Sequence, residues 1–388
     1  MELNVANIAL IVAAAQGFLL VVLIVQKYQS LFANRFLALL LLCYTIILVH
    51  LLLQDAGLYR IVPYVFLIVG LPFLAMPLHY LYTKYLITRK TTFAASDWIH
   101  LVPFLMFEII LISASLFSMI DLTAVATVEP AATPVSFRIV NWLIIAQGLM
   151  YLGLSYRLLT RYNAHIKDVL SSIEQVQLQW LRNITTVGLI AVMIFLIEDL
   201  LMAQGINLSN FIFSSIFFAV YVYGIGYTGF LKSEIFVSPI VEQTMHEVEI
   251  IESEVRPVAK YERSGLSHET AQQYLAQLLA LMENERPYFD PSVTLTRLAE
   301  KLSITPHNLS EVINSQLNKN FYDFINGYRI EQIKKDLADP AKQHLKILSI
   351  AFDAGFNSKA TFNTLFKEQI GKTPSEYRKS VLKTISEE

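Results

Sequence analysis

The sequence predicts an all-α chain of two unlike halves: a polytopic membrane helix bundle, then a soluble unit with two helix-turn-helix patterns. Three observations predict it. Residues 5–230 hold long apolar runs, whereas residues 231–388 read like an ordinary soluble protein. The bulk values record the imbalance, with 54% hydrophobic and 16% charged residues and a mean hydropathy of +0.48, too apolar for a soluble enzyme. The C-terminal stretch twice repeats one order of apolar spacing, turn and cap. The formal net charge of -2 averages the two halves and says little about either.

About seven apolar segments approach the ~20 residues needed to cross a ~30 Å hydrocarbon core. They lie near 5–26, 31–53, 61–82, 98–119, 137–159, 183–203 and 209–230. The first is not expected to be a cleaved signal peptide. Its apolar run is too long, its leading flank carries Glu2, and its basic residue Lys27 follows the run.

Loop charge predicts the orientation. With alternating spans, Lys27, Arg35, Lys84, Arg89, Lys90, Arg157, Arg161, Lys167, Arg182 and Lys232 fall on one side, and Arg60 and Arg138 near the other. The positive-inside rule makes the first side cytoplasmic. The N-terminus is then outside and the C-terminus inside. An odd number of spans puts the C-terminal helix-turn-helix patterns on the same side as the basic loops.

Polar residues interrupt the spans: Gln16, His50, His79, Glu108, Asn141, Gln147, Glu198 and Asp199. Ionisable groups at membrane depth are costly and face a partner or a cavity. His50, Glu108, Glu198 and Asp199 are the candidate ligand-sensing residues, for a small molecule or ion reaching the bundle from outside. The competing reading is hydrogen-bond glue between helices. Span seven has no lysine for a Schiff base, no His-x-x-His or cysteine pair occurs, and Cys43 is the only cysteine. Neither metal, cofactor nor intramolecular disulfide is predicted. The tyrosines and glycines of Tyr221–Tyr227 read as close packing and interfacial anchoring.

The bundle is expected to end near residue 232. A linker over 233–262 follows, acidic between Glu242 and Glu254 and broken by Pro239 and Pro257. A signal passing from span seven through Lys232–Pro257 is expected to change the pairing of two copies. Residues 268–285 form an amphipathic helix through Tyr274, Leu275, Leu278, Leu279 and Met282, packed on the following unit as its first element.

The C-terminal unit, 263–388, holds its first helix-turn-helix at about 294–316. Leu298, Ala299 and Leu302 share one face, Ser303–Ile304 turn, and Thr305 caps a helix that opens with Pro306. Leu309, Val312 and Ile313 point inward, leaving His307, Ser310, Glu311 and Asn314 outward. The second lies at about 346–370. Ile350 and Ala351 match Leu298 and Ala299, Gly355 supplies a positive φ, and Ser358 caps. Phe362, Leu365 and Phe366 point inward, leaving Lys359, Asn363, Thr364 and Lys367 outward. Phe321, Phe324, Ile325, Tyr328 and Ile333 make a helical stripe between the two.

The motifs LAEKLSITPHNLSEVIN and IAFDAGFNSKATFNTLFKEQIGKTPSEYRK carry a resemblance to the AraC/XylS family of bacterial transcription regulators. The G-F-x-S, F-K-x-x-x-G-x-T-P and Y-R elements fall in that family's order and spacing. The resemblance covers about the last quarter of the chain. It implies one long helix holding two recognition helices about one DNA turn apart, ~34 Å. It also implies base contacts by His307, Ser310 and Glu311 in the first helix and by Lys359, Thr361, Asn363 and Thr364 in the second. Arg329, Lys334, Lys335, Lys346, Lys372 and Arg378 are expected on phosphates. Roughly 14 Lys and Arg face roughly 10 Asp and Glu between 290 and 383, so the unit is only mildly basic.

The expected function is a membrane-anchored, one-component transcription regulator that is not an enzyme. Its expected partners are promoter DNA, the lipid bilayer, RNA polymerase, a second copy of the chain and a small-molecule ligand. The alternative is a membrane transporter or receptor whose C-terminal unit docks a protein.

Overall fold

A computed structural model of the chain describes residues 5–27, 31–55, 68, 70–116, 135–204, 206, 212–236 and 266–387. Two compact units result. One comprises Met1–Tyr162 with Leu178–Ser238, the other Asn163–Gln177 with Pro239–Glu388. The second unit therefore takes in a stretch between two apolar segments, which the linear boundaries drawn from sequence do not anticipate. The described residues are helical, with one isolated β-bridge between Leu170 and Thr294.

The first unit is built on α1 (Val5–Lys27), α2 (Ala33–Asp55), α3 (Leu71–Thr88), α4 (Val102–Leu116), α5 (Val135–Val169), α6 (Gln179–Ala203) and α7 (Ile212–Phe236). Each helix overlaps one of the apolar segments read from the sequence, although α3 begins ten residues into the segment 61–82, whose start lies mostly outside the described residues, and runs six residues past its end. By length and composition, four described stretches can cross a membrane: Ala33–Leu53, Ala95–Ser113, Arg138–Val169 and Gln179–Ala203. That is fewer than seven. The apolar run described in α1, Leu10–Gln26, is shorter. α3 carries His79, Lys84 and an internal Pro77. Helix α5 has 35 residues, about 52 Å at the standard rise, and its residues from Asn163 onward belong to the second unit.

Small residues let these helices approach. A Cβ on Gly226 would stand 2.7 Å from Leu20 on α1, and one on Gly229 would stand 2.7 Å from Leu37 on α2. His79 ties three helices together. Its Nε2 lies 3.1 Å from Thr185 Oγ1 on α6, and its Nδ1 lies 2.8 Å from the Tyr221 hydroxyl on α7. For this histidine the described contacts are hydrogen bonds between helices, as the competing reading of the polar residues in the apolar segments expects.

The second unit contains α8 (His268–Asn284), α9 (Leu295–Leu302), α10 (Pro306–Leu317), α11 (Phe321–Ala338), α12 (Ile347–Asp353), α13 (Lys359–Ile370) and α14 (Pro374–Glu387). Side-chain caps fix most of the starts. Ser267, Thr294, Thr305, Asn320 and Ser358 each accept a hydrogen bond from a backbone N–H of the helix they precede, and each such cap stabilises by about 1 kcal/mol. Leu278 and Met282 of α8 are buried, but Leu279 is exposed, so only part of the predicted stripe faces inward.

Two hydrophobic cores share α11. Phe321, Phe324 and Ile325 join Leu278, Met282, Leu298, Ala299, Leu309 and Ile313 in the first. Ile330, Ile333 and Leu337 join Ile350, Ala351, Phe356, Phe362 and Phe366 in the second. Each fully buried Ile or Leu contributes roughly 1.5–3 kcal/mol. Splitting one helix between two cores is what ties one helix-turn-helix rigidly to the other.

Candidate nucleic-acid interface

The second helices of the two helix-turn-helix motifs, those the sequence expects to read DNA, are α10 and α13. In the first turn the chain reverses through Ser303, at φ 56°, and restarts behind Thr305. In the second, the reversal uses Gly355 at φ 100° and restarts behind Ser358. A glycine is required at this second turn for a second reason. A Cβ there would collide with the Tyr288 carbonyl and stand 2.9 Å from Arg329 Nε.

Once Leu309, Val312 and Ile313 are buried, α10 presents Asn314 fully and His307, Ser310 and Glu311 in part. Asn314 Nδ2 donates to Ser310 Oγ at 3.2 Å, and His307 Nε2 lies 3.9 Å from a Glu311 carboxylate oxygen. Burial of Phe362 and Phe366 leaves Lys359, Asn363, Thr364 and Lys367 of α13 exposed. Thr361 is half-buried, and its backbone N–H is held by the Ser358 cap. Such N-terminal outward positions are those a helix brings to base edges in the major groove.

An open recess runs from α13 to the start of α14, lined by Asn363, Thr364, Lys367, Thr373, Pro374 and Ser375. Thr373 and Pro374 belong to the F-K-x-x-x-G-x-T-P element, but neither they nor Ser375 were expected in the interface. The signal was there, since T-P-S-E is a capping box with proline at the first helical position. The Thr373 N–H donates to Glu376 Oε2 at 2.8 Å and the Glu376 N–H to Thr373 Oγ1 at 3.3 Å. The Thr373 N–H and hydroxyl hold the Glu376 carboxyl below the usual carboxylate range.

Residues 298–380 match the family described as a helix-turn-helix domain. This stretch is an AraC-type helix-turn-helix domain. It is similar to the melibiose operon regulatory protein of Escherichia coli, 28% identical over 109 residues, 28% of this chain and 34% of that protein. It is similar to the HTH-type transcriptional activator RhaS of Mannheimia succiniciproducens, 29% identical over 102 residues, 26% of this chain and 36% of that protein. An uncharacterized HTH-type transcriptional regulator of Staphylococcus aureus is 33% identical over 91 residues, 24% of this chain and 12% of that protein. The chain spans about a third or less of the length of these curated relatives. They are named as regulators of transcription and not as enzymes. No solved structure matches.

Two of the expected phosphate contacts are corrected by the AraC-type domain itself. Arg329 is fully buried. Its Nε donates to the Tyr288 carbonyl at 2.8 Å, its Nη2 to the Asp290 carbonyl at 2.9 Å and Ser171 Oγ at 3.3 Å, and its Nη1 to the Ser171 carbonyl at 3.3 Å and Asn326 Oδ1 at 3.1 Å. All five donors of the guanidinium are thus committed. Burial draws its pKa down to about 10, against the opposing pull of Glu174 and Asp290, so it stays charged at neutral pH. Arg378 donates to the carbonyls of Leu345, Lys342 and Gln343 at 2.6–2.9 Å and closes that loop onto α14 instead of reaching out. Lys334 pairs with Glu331 at 2.9 Å. Lys335, Lys346 and Lys372 are exposed.

In the first unit the sensing candidates have different neighbours. Glu108 is buried on α4 against Gly70, and both carboxylate oxygens lack a hydrogen-bond partner among the described residues. Asp199 on α6 accepts from Trp142 Nε1 at 2.8 Å and Asn141 Nδ2 at 3.3 Å on α5. Glu198 is buried beside it, and His50 is half-buried on α2. The linker path through Lys232–Pro257 lies mostly outside the described residues.

Proposed function

We propose that this chain is a membrane-anchored, sequence-specific DNA-binding transcription regulator of the AraC type. Residues 1–232 form a bundle of about seven spans, residues 233–262 a cytoplasmic linker, and residues 263–388 the reader. The bundle sits in a bacterial inner membrane with its N-terminus outside, and it senses a ligand through groups such as His50, Glu108, Glu198 and Asp199. Two copies, and RNA polymerase, complete the assembly at a promoter.

The observation that carries the reading is the pair α10 and α13. Both are capped, both are anchored in a core shared through α11, and both turn polar or charged side chains outward. Those polar faces favour a duplex over a protein partner, whose docking site would be apolar at its centre. Support for the membrane half comes from the four apolar stretches long enough to span and from basic residues gathered in alternate loops.

The test uses the whole chain reconstituted in lipid nanodiscs and offered a random pool of duplex DNA. Enrichment of one sequence with two separated elements is expected, with affinity falling steeply as salt rises. No enrichment over random duplex contradicts the proposal.

A further inference from the structure

Residues Asn163–Gln177, the last turns of α5 and the short loop leading to α6, fold into the unit that holds the two helix-turn-helix motifs. Within that unit the segment is built in. Leu170 makes an antiparallel bridge with Thr294, the cap of α9. Ser171 Oγ donates to the Val293 carbonyl at 2.7 Å, and Ser172 Oγ to the Pro291 carbonyl at 2.9 Å. Leu170, Ser171, Ile173 and Val176 are all buried. The Lys167 ammonium lies 5.5 Å from the centre of the Tyr322 ring on α11.

The Ser171 carbonyl is the centre of this contact. It accepts from Asn326 Nδ2 at 3.1 Å and from Arg329 Nη1 at 3.3 Å, both on α11. The same Arg329 binds the Tyr288 and Asp290 carbonyls ahead of the first helix-turn-helix. Its guanidinium carbon also lies 5.8 Å from the Phe356 ring, in the turn of the second. One buried arginine thus touches the entry to the first reader, the turn of the second, and the loop. Withdrawing the loop strips Asn326 and Arg329 of three hydrogen bonds in a buried place, which costs the full desolvation of those donors.

The loop is no plug. With it in place, Asn314, Lys359, Asn363, Thr364 and Lys367 remain exposed. We propose that Asn163–Gln177 is an intramolecular docking element that braces the two helix-turn-helix motifs in register through Asn326 and Arg329, and so couples DNA reading to the apolar helices α5 and α6 with which it is continuous. The coupling to DNA rests on the DNA-reading function proposed above; the docking does not. Movement of α5 against α6 then acts on the spacing of the readers without passing through the linker after α7.

The experiment uses the full chain in nanodiscs and the duplex that the wild type enriches from a random pool. Replacing Leu170–Ile173 by Gly-Gly-Ser-Gly is expected to lower affinity by about 5- to 150-fold, the usual range of coupling between sites. It is also expected to erase the footprint over one half-site while keeping the other. In the wild type, the amides of Leu170–Ser172 are expected to exchange as slowly as those of Tyr322–Arg329. A second variant, Leu170→Cys with Thr294→Cys in a Cys43→Ser background, is expected to oxidise to a disulfide and keep both footprints, since residues opposed across an antiparallel bridge are close enough to link. An unchanged two-site footprint in the loop replacement overturns the brace, as does loop exchange at the rate of an unfolded chain. If the wild type enriches no duplex, DNA reading fails, and the exchange measurement still decides the docking.

Discussion

Ser171 and Arg329 stand 158 positions apart, and the serine carbonyl accepts a hydrogen bond from the arginine Nη1 at 3.3 Å. That bond gives the arginine a structural task in place of the phosphate contact its charge suggests. Arg329→Met leaves the Tyr288 carbonyl without its donor, takes one of two donors from the carbonyls of Asp290 and Ser171, and is expected to destabilise the unit by on the order of 3–5 kcal/mol. Lys335→Ala, at an exposed position two turns on, is expected to leave stability unchanged and to weaken DNA binding instead. Chemical unfolding alongside a binding titration separates the two. Equal stability in both variants contradicts the assignment.

Gly355 carries the second turn at φ 100°, with the Tyr288 and Phe289 carbonyls and Arg329 packed against its Cα. Gly355→Ala adds both a left-handed strain and a collision. A loss of at least about 1–3 kcal/mol is expected, read as a lower thermal midpoint and faster exchange over α12 and α13.

Asn363 and Lys367 share the exposed face of α13 and are predicted to do different work. Asn363→Ala is expected to cost about 1–3 kcal/mol against the preferred sequence and to relax specificity at one base pair. Lys367→Ala is expected to weaken all duplexes alike and to flatten the salt dependence by about one unit of slope. Binding series over salt, on matched and single-mismatch duplexes, distinguish them.

The capping box at α14 predicts a pH dependence. The Glu376 carboxyl is held below its ordinary value of 4.5 by the Thr373 N–H and hydroxyl. Because the folded value is the lower one, the contribution is present above pH 4.5 and is lost as the pH falls through the folded value. Thermal midpoints of the wild type are therefore expected to fall more steeply with acid below pH 4.5 than those of Glu376→Gln. Parallel curves contradict the capping role.

Much of the reader was legible because its determinants are local. Thr305 and Ser358 announce themselves as caps a few residues ahead of an apolar stripe, and Gly355 as a turn, so neighbouring residues suffice to place them. The inward faces of α10 and α13 follow from helical spacing alone. Arg329 was misread even though the spacing held a clue: it falls four residues from both Ile325 and Ile333, on the buried face of α11. Charge outweighed periodicity in that reading. Ser171 offered no such clue. Its partners are fixed by tertiary contact more than 100 residues away, and a short polar loop between two apolar segments carries no pattern that names its destination. In the bundle, the packing role of the glycines around Tyr221–Tyr227 was visible as small residues among large ones. The three-helix tie made by His79 was not, because its partners come from α6 and α7.

The measurement that most directly tests the central claim is a hydroxyl-radical footprint of the full chain in nanodiscs on the duplex it selects. Two recognition helices fixed on one shared helix predict two protected patches on one face of the DNA, about one turn or ~10 base pairs apart. A single patch, or protection that does not distinguish the selected duplex from random DNA, contradicts it.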